Sequence, residues 1–131
     1  MHFFASIDHL HDMLSWIRVE SEKIGFQPSQ LYHIELASEE AIVNVIHYTY
    51  NDQGGEIEIS IDATPHQLQI TISDLGKPFN PIAKKAKQTN ASLDERKVGG
   101  LGLLLIQKCM DEVSYQRQNN RNVLTLIKKI N

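Results

Sequence analysis

IEISIDATPHQLQITISDLG, residues 57–76, holds the clearest secondary-structure pattern of the chain. Apolar residues alternate with polar ones in two runs, Ile57, Ile59 and Ile61, then Leu68, Ile70 and Ile72. Alternation with a period of two is typical of strands with one buried face, and Pro65 between the runs cannot continue a central strand. The stretch therefore predicts two antiparallel strands joined around residues 63–66.

Helices and a second pair of strands are predicted on either side. Apolar residues at helical spacing run from Leu10 to Ile24 before Gly25, a second helix follows Pro28 and Ser29 to about Tyr50, and a third runs from Gly102 to about Met110. Two more strands, Val113–Arg117 and Val123–Lys128, flank Asn119 and Asn120. This order predicts an α+β fold, a two-layer sandwich in which helices cover one face of a mixed, mostly antiparallel sheet.

Composition limits the classes of function. A chain of 131 residues with 41% hydrophobic residues fits one domain, residues 1–131. Its formal net charge of −3 disfavours a nucleic-acid partner. The single cysteine, the absence of a signal-like start and the lack of a long apolar run predict a soluble cytoplasmic protein without a membrane span.

The second predicted helix carries a narrow polar stripe formed by Glu40, Asn44 and His47. Residues three and four apart share one helix face, and apolar residues flank this stripe on both sides. A carboxylate and an amide so placed can offer oxygens to Mg²⁺ and to a water or hydroxyl. Incidental exposed helix residues are the alternative for this pair taken alone.

The strand that ends at Asp74 is followed by Gly76 and Pro78. Such a sequence is a common turn, in which Gly76 supplies an unusual backbone conformation and Pro78 fixes the exit. It also fits a ligand site, because an aspartate at a strand end can accept a hydrogen bond from an exocyclic amine such as the N6 of adenine. Gly76 would let a flat ring approach the backbone.

A glycine-rich segment, Gly99, Gly100, Leu101 and Gly102, directly precedes the third predicted helix. Backbone amides at a helix N-terminus favour anionic oxygens such as phosphates. The segment lacks the Lys-Ser/Thr ending of a P-loop and does not follow a strand as the dinucleotide fingerprint does. The preceding loop, about residues 80–98, holds several Lys and Arg residues that could close over the phosphates as a mobile lid. The alternative is that these charges only solubilise a flexible loop.

Taken together, the three segments resemble the GHKL ATPases, and among them the anti-sigma-factor serine/threonine protein kinases of bacteria. Residues 39–44, EEAIVN, resemble the N box, residues 74–79, DLGKPF, the G1 box, and residues 99–103, GGLGL, the G2 box. Each motif is weak alone, but the three in this order and at these separations are specific. The resemblance covers nearly the whole chain and implies a Bergerat-type (GHKL ATPase) sandwich.

The resemblance also implies roles for individual residues. Asn44 binds Mg²⁺, Glu40 is the general base, and Asp74, with Gly76 beside it, recognises adenine. The amides of the glycine segment, residues 99–102, hold the phosphates of ATP, and Thr125 on the final strand helps the adenine contact.

The implied reaction is transfer of the ATP γ-phosphoryl group to a serine or threonine of an anti-sigma-factor antagonist, a STAS-type protein. Sequestration of a sigma factor and a homodimer are implied by resemblance alone. The alternative is a non-enzymatic switch in which ATP gates protein binding, and Glu40 separates the two hypotheses.

The chain departs from the family pattern at two places. His47 lies three residues after Asn44, where many members place a histidine four residues after, and Tyr48 takes that position. Asn119 and Asn120 stand where a glycine turn is frequent, although asparagine tolerates the left-handed conformation that a tight turn requires.

Overall fold

The structure, a computed structural model, describes residues 1–82 and 101–130. Within these residues, three α-helices pack on one sheet of five strands. The elements in chain order are β1 (His2–Phe4), a 3₁₀ turn (Ile7–His9), α1 (Leu10–Glu22), α2 (Pro28–Asn44), a π-helical turn (Val45–Thr49), β2 (Glu56–Ala63), β3 (Gln67–Asp74), α3 (Leu101–Cys109), β4 (Glu112–Gln118) and β5 (Arg121–Lys129). All four strands predicted from the sequence are present.

The strands lie in the order β1-β2-β3-β5-β4, and each neighbouring pair is antiparallel. The predicted α+β sandwich is confirmed, but among the described strands the sheet is antiparallel throughout, where a mixed sheet was expected. Strands β3 and β4 do run parallel, because each is antiparallel to β5. Since β5 lies between them, they form no parallel pair.

Two tight connections fix the register of the hairpins. In the β2–β3 turn, the Thr64 Oγ1 accepts hydrogen bonds from the amides of His66 and Gln67 at 3.2 and 3.1 Å. In the β4–β5 turn, Asn119 and Asn120 have φ angles of 53° and 62°. Both asparagines thus take the left-handed conformation that a two-residue hairpin turn requires, as predicted.

One face of the sheet is buried under the helices. The core contains the inward residues Ile57, Ile59, Leu68, Ile70, Ile72, Leu124 and Leu126 together with helix residues Met13, Ile17, Ile34 and Ile42. The residues between these inward positions point to the other face of the sheet and are partly exposed. Thr71 on β3 and Thr125 on β5 are two of them, and they pair directly with each other. The alternation read from the sequence is therefore the alternation between core and outer face.

The second helix changes its geometry near its end. Gln27 and Gln30 form a reciprocal capping box at its start, and Pro28 occupies the first turn, where its missing N–H costs no hydrogen bond. After Asn44 the chain continues as the π-helical turn, in which the Tyr50 amide donates to the Val45 carbonyl at 3.1 Å. The predicted helix to about Tyr50 is thus two segments joined without a break.

The edge strand β1 was not predicted, because three residues show no periodicity. It forms by pairing with β2, and both the Met1 amine and the Met1 carbonyl bond to the Ile59 backbone, at 3.1 and 2.9 Å. Of the helices that the structure describes, none combines the length and the apolarity needed to cross a bilayer.

Candidate functional site

An open cleft lies between the end of α2 and the ends of β3 and β5. The space in the cleft is about 310 Å³, a value that includes open solvent at its mouth. It is lined by Ala41, Asn44, Val45, Thr49, Ile72, Asp74, Phe79, Pro81, Tyr115, Asn122 and Leu124. The lining is mostly apolar with a few polar groups, which is typical of a small-molecule site.

Asp74 places a buried carboxylate in this cleft, as the last residue of β3. Only 2% of its surface is exposed. Its Oδ1 accepts hydrogen bonds from the Asn122 Nδ2 and from the Gly76 amide, both at 2.9 Å. Among the described residues both of its hydrogen bonds end on Oδ1, which leaves Oδ2 for a ligand.

The same surroundings shift the ionisation of Asp74. Burial raises the pKa of its carboxyl above the ordinary value, because the charged form loses hydration. The hydrogen bonds from Asn122 and Gly76 lower this pKa, as do the positive charges of Arg117 and Arg121. A further hydrogen-bond donor from a ligand would stabilise the charged form of this carboxyl.

Asn122, on β5 directly opposite Asp74, is the functional residue that the sequence analysis missed. Its Nδ2 donates to Asp74 and, at 2.8 Å, to the Lys77 carbonyl. Its Oδ1 accepts from the Phe79 amide at 3.1 Å and from the Tyr115 hydroxyl at 2.5 Å. In the sequence Asn122 lies one position before the predicted strand, and its place opposite Asp74 follows only from the register between β3 and β5.

Asn44, the last residue of α2, lines the side of the cleft that lies across from Asp74. It is 7% exposed, and its side chain has no hydrogen bond to another described residue. The amide faces the open cleft, where its oxygen is available to a ligand. The sequence analysis predicted that Asn44 offers an oxygen to Mg²⁺, and its position in the cleft is compatible with that role.

Glu40 lies one helical turn before Asn44, at the edge of the cleft rather than in its lining. It is partly buried. Burial raises the pKa of its carboxyl, and the neighbouring charge of Glu39 raises it further. A carboxyl with a raised pKa is a better proton acceptor than an ordinary one, which suits a general base.

Gly76 is required for a reason that differs from the predicted one. Among the described glycines, positive φ angles occur at Gly25 and Gly54, so Gly76 does not have the unusual conformation expected of it. A Cβ at this position would lie 2.3 Å from the Thr49 Cγ2 and 2.7 Å from the Thr49 carbonyl oxygen. Glycine is needed because the loop after β3 packs directly on the π-helical turn.

Thr125 does not reach the cleft, contrary to the role implied for it. Along β5 the inward residues are Asn122, Leu124 and Leu126, and Thr125 pairs with Thr71 and Ser114 on the outer face. Because successive side chains of a strand point to opposite faces, Leu124 lines the cleft where Thr125 was expected. We therefore assign Thr125 no part in ligand binding.

His47, the third member of the predicted stripe, also lies outside the cleft lining. It is exposed, and its Nδ1 is hydrogen-bonded to the Asp52 carboxylate. The π-helical turn explains this placement, because it brings Thr49, five residues after Asn44, into the cleft.

The glycine segment is described only in part. Leu101 and Gly102 form the first turn of α3, as a phosphate site at a helix N-terminus requires. Gly99, Gly100 and the predicted lid from residue 83 onward lie outside the described residues.

Phe79 supplies an aromatic wall that the motif analysis did not single out. Its ring stacks on that of Tyr48, with centroids 5.3 Å apart and an interplanar angle of 7°. Tyr48 occupies the position at which the family pattern places a histidine, and an aromatic ring there supports the wall of the cleft.

The structure is a two-layer α+β sandwich with a cleft between its helices and the end of its sheet. The chain belongs to the histidine kinase-like ATPase domain family, which it matches over residues 3–128. The resemblance read from the three motifs is thereby confirmed.

Named relatives agree with this assignment. The serine-protein kinase RsbW of Oceanobacillus iheyensis is 32% identical over 75% of this chain, and the match spans 65% of that protein's length. The serine/threonine-protein kinase BtrW of Bordetella bronchiseptica is 26% identical over 88% of this chain and 82% of its own. Among solved structures, a chain of the SiaB–SiaC complex from Pseudomonas aeruginosa superposes with a TM-score of 0.60 over 99% of this chain and 89% of that one, at 18% identity, which shows a common fold.

Proposed function

We propose that this protein is an ATP-dependent serine/threonine protein kinase of a bacterial partner-switching system. The observation that carries the proposal is the buried Asp74 carboxylate in the cleft, with Oδ1 held by the protein and Oδ2 left for a ligand. Membership of the ATPase family makes ATP the expected ligand. The similar chains named as serine and serine/threonine protein kinases support phosphotransfer to protein.

Nucleotide binding uses the two sides of the cleft. On one side, Asp74 Oδ2 accepts a hydrogen bond from the exocyclic amine of adenine, and apolar residues such as Ile72 and Leu124 contact the ring. On the other side, Asn44 fits Mg²⁺, because its buried side chain offers an amide oxygen that no described residue uses. Mg²⁺ neutralises charge on the phosphates. The family resemblance assigns the phosphates to the amides of residues 99–102, of which the structure describes Leu101 and Gly102 at the start of α3.

Glu40 acts on the protein substrate. Its carboxylate accepts the proton of the partner's serine or threonine hydroxyl as that oxygen bonds to the γ-phosphorus and the bond to the departing ADP oxygen breaks. The raised pKa of Glu40 suits this step, because proton transfer is most effective when the pKa of the base approaches the working pH. Most of the rate enhancement would come from positioning and electrostatics.

The partner proposed is an anti-sigma-factor antagonist of the STAS type, phosphorylated on serine or threonine. Sequestration of a sigma factor, a homodimer and a cytoplasmic location complete the proposal. The partner, the sequestration and the homodimer rest on the family resemblance, and the cytoplasmic location rests on the single cysteine and the absence of a signal-like start. The match spans only part of the lengths of RsbW and BtrW.

A comparison of Glu40→Gln with Glu39→Gln tests the catalytic role. Both substitutions remove one carboxylate from neighbouring positions of α2, but only Glu40 lies on the stripe with Asn44. We expect Glu40→Gln to bind ATP as the wild type does and to lose phosphotransfer by about 100-fold or more, the usual contribution of a general base. Glu39→Gln should retain most of the phosphotransfer, although it removes a charge that helps to raise the pKa of Glu40, because burial is the larger cause of that shift. The measurement is labelled phosphate transferred to candidate antagonists from the same genome.

Wild-type phosphotransfer by Glu40→Gln would remove Glu40 from the reaction. If the wild type binds ATP but phosphorylates no antagonist, and ATP still controls antagonist binding, the protein is the nucleotide-gated switch. Failure to bind ATP would contradict both functions.

A further inference from the structure

We propose that Asn122 is the positioning residue for purine recognition: it holds Asp74 Oδ1 and thereby turns Oδ2 toward the exocyclic amine of the nucleotide. This inference rests on the proposed ATP site. It concerns how one residue gives that site its preference for an amine-bearing purine.

The orientation of the Asn122 amide is dictated by its partners. Nδ2 faces two acceptors, Asp74 Oδ1 and the Lys77 carbonyl, and Oδ1 faces two donors, the Phe79 amide and the Tyr115 hydroxyl. The reversed amide would oppose oxygen to oxygen and N–H to N–H, losing the hydrogen bonds to Asp74, Lys77 and Phe79. The donor toward Asp74 is therefore fixed.

The side chain of Asn122 also has no unused hydrogen-bonding group. An amide side chain has two N–H donors and one oxygen with two lone pairs, and all four are used here. The residue is 5% exposed. It therefore has no capacity left to bond a nucleotide, and any effect on recognition passes through Asp74.

The Asn122 side chain also holds in place the segment after β3 that forms one side of the cleft. Its bonds to the Lys77 carbonyl and the Phe79 amide, at 2.8 and 3.1 Å, tie the segment after β3 to β5. Phe79, which lines the cleft, is thus fixed relative to the carboxylate that reads the base. A hydroxyl cannot do this, because serine or threonine has a single donor and cannot serve Asp74 and Lys77 together.

The test compares ATP with purine riboside triphosphate, which lacks the exocyclic amine. Dissociation constants are measured for both nucleotides with wild type, Asp74→Asn, Asn122→Ala and Asn122→Thr. Gln118→Ala is the matched control, because it removes an exposed carboxamide from the same hairpin.

We expect wild type and Gln118→Ala to bind ATP about ten-fold or more tightly than the analogue, as for one hydrogen bond to an ionised group. Asp74→Asn should abolish this preference, because it presents a donor where an acceptor is needed. Asn122→Ala should reduce it to about two-fold, with most of the loss in ATP affinity. Asn122→Thr, which keeps one donor, is the variant to use if the alanine variant fails to fold, and its preference should be below that of wild type.

The outcomes separate the inference from the proposed function. Equal losses of affinity for ATP and the analogue in the Asn122 variants would overturn the positioning role, since a merely structural residue affects both nucleotides alike. A wild type that binds both equally would also overturn it, while leaving ATP binding intact. A wild type that binds neither contradicts the proposed function itself.

Discussion

Ligand recognition and burial act in opposite directions on the ionisation of the Asp74 carboxyl group. Ligand recognition needs an ionised acceptor, while its burial opposes ionisation. Asn122, the Gly76 amide and the charges of Arg117 and Arg121 offset part of this cost. The proposed recognition of an amine needs the ionised carboxylate, and burial makes that form costly for the ligand-free fold.

This conflict predicts how stability depends on pH. Because burial raises the native pKa of Asp74 above its unfolded value, its contribution to stability is fully present below the unfolded pKa and is lost as pH rises through the native pKa. Asp74→Asn keeps an oxygen for Asn122 and Gly76 but carries no charge. At pH 7 we expect the variant to have the higher urea midpoint, and the difference should shrink as pH falls below the native pKa.

Urea unfolding of both proteins at several pH values measures this difference. A variant less stable than wild type at pH 7 would mean that Arg117 and Arg121 make the charge stabilising overall. The account of a site kept at a cost to the fold would then be wrong.

At this scale the sequence predicted some positions in the cleft and missed others. Asp74 and Asn44 line the cleft as expected, because motif order along helix and strand carries their positions. Thr125 was misplaced by the alternation of a strand, a one-residue error that moves a side chain to the other face. Asn122 was missed because its role depends on the register between β3 and β5, which pairs it with Asp74 and which no local pattern reveals.

At the scale of elements, the junction between α2 and β3 shapes the cleft. The π-helical turn brings Thr49 to the cleft, and the Lys77 amide approaches the Thr49 carbonyl at 3.4 Å. The Tyr50 hydroxyl donates to the Glu56 carbonyl at 2.6 Å and accepts from the Leu75 amide at 2.9 Å. The loop that carries Gly76 is thereby held against the helix end from two sides.

Gly76→Ala tests this junction. The added methyl would meet the Thr49 Cγ2 at 2.3 Å and the Thr49 carbonyl at 2.7 Å, so backbone must move. We expect a loss of about 1–3 kcal/mol in the free energy of unfolding, as for overpacking elsewhere in proteins. Urea unfolding supplies the measurement.

A double-mutant cycle with Thr49→Ala sharpens the result. Removing Cγ2 relieves one of the two close contacts, while the carbonyl remains, so the double variant should recover part of the loss and not all of it. Gly76→Ala with wild-type stability would show that the loop does not need this close approach.

The elements themselves were largely predictable, and their irregularities were not. Strands β2 and β5 alternate because one face of each is buried, and β3 does so up to Ile72, whereas β4 alternates only between partly buried and exposed positions. The change from α- to π-helical geometry after Asn44 was not predicted, because Val45 and Ile46 simply continue the apolar pattern of the helix. The need for Gly76 was likewise assigned to its φ angle, although it arises from a contact 27 positions back in the chain, with Thr49.

At the scale of the whole molecule, a sheet covered on one face leaves its ligand site at the margin of the core. Asp74 ends a strand whose other inward residues, Leu68, Ile70 and Ile72, are at most 1% exposed. The cleft thus lies at the end of the apolar layer between the helices and the sheet, where β3 ends at Asp74. Fold class followed from the order of predicted elements, whereas the antiparallel order placing β5 between β3 and β4 required the structure.

The central claim is that this cleft binds ATP through Asp74. Equilibrium dialysis with labelled ATP, with and without Mg²⁺, tests it on wild type, Asp74→Asn and Asp62→Asn. Asp62 is an exposed aspartate on β2 and serves as the matched control. We predict Mg²⁺-dependent binding of one ATP per chain, about ten-fold or more weaker in Asp74→Asn and unchanged in Asp62→Asn. No binding by wild type, or equal binding by Asp74→Asn, would contradict the account.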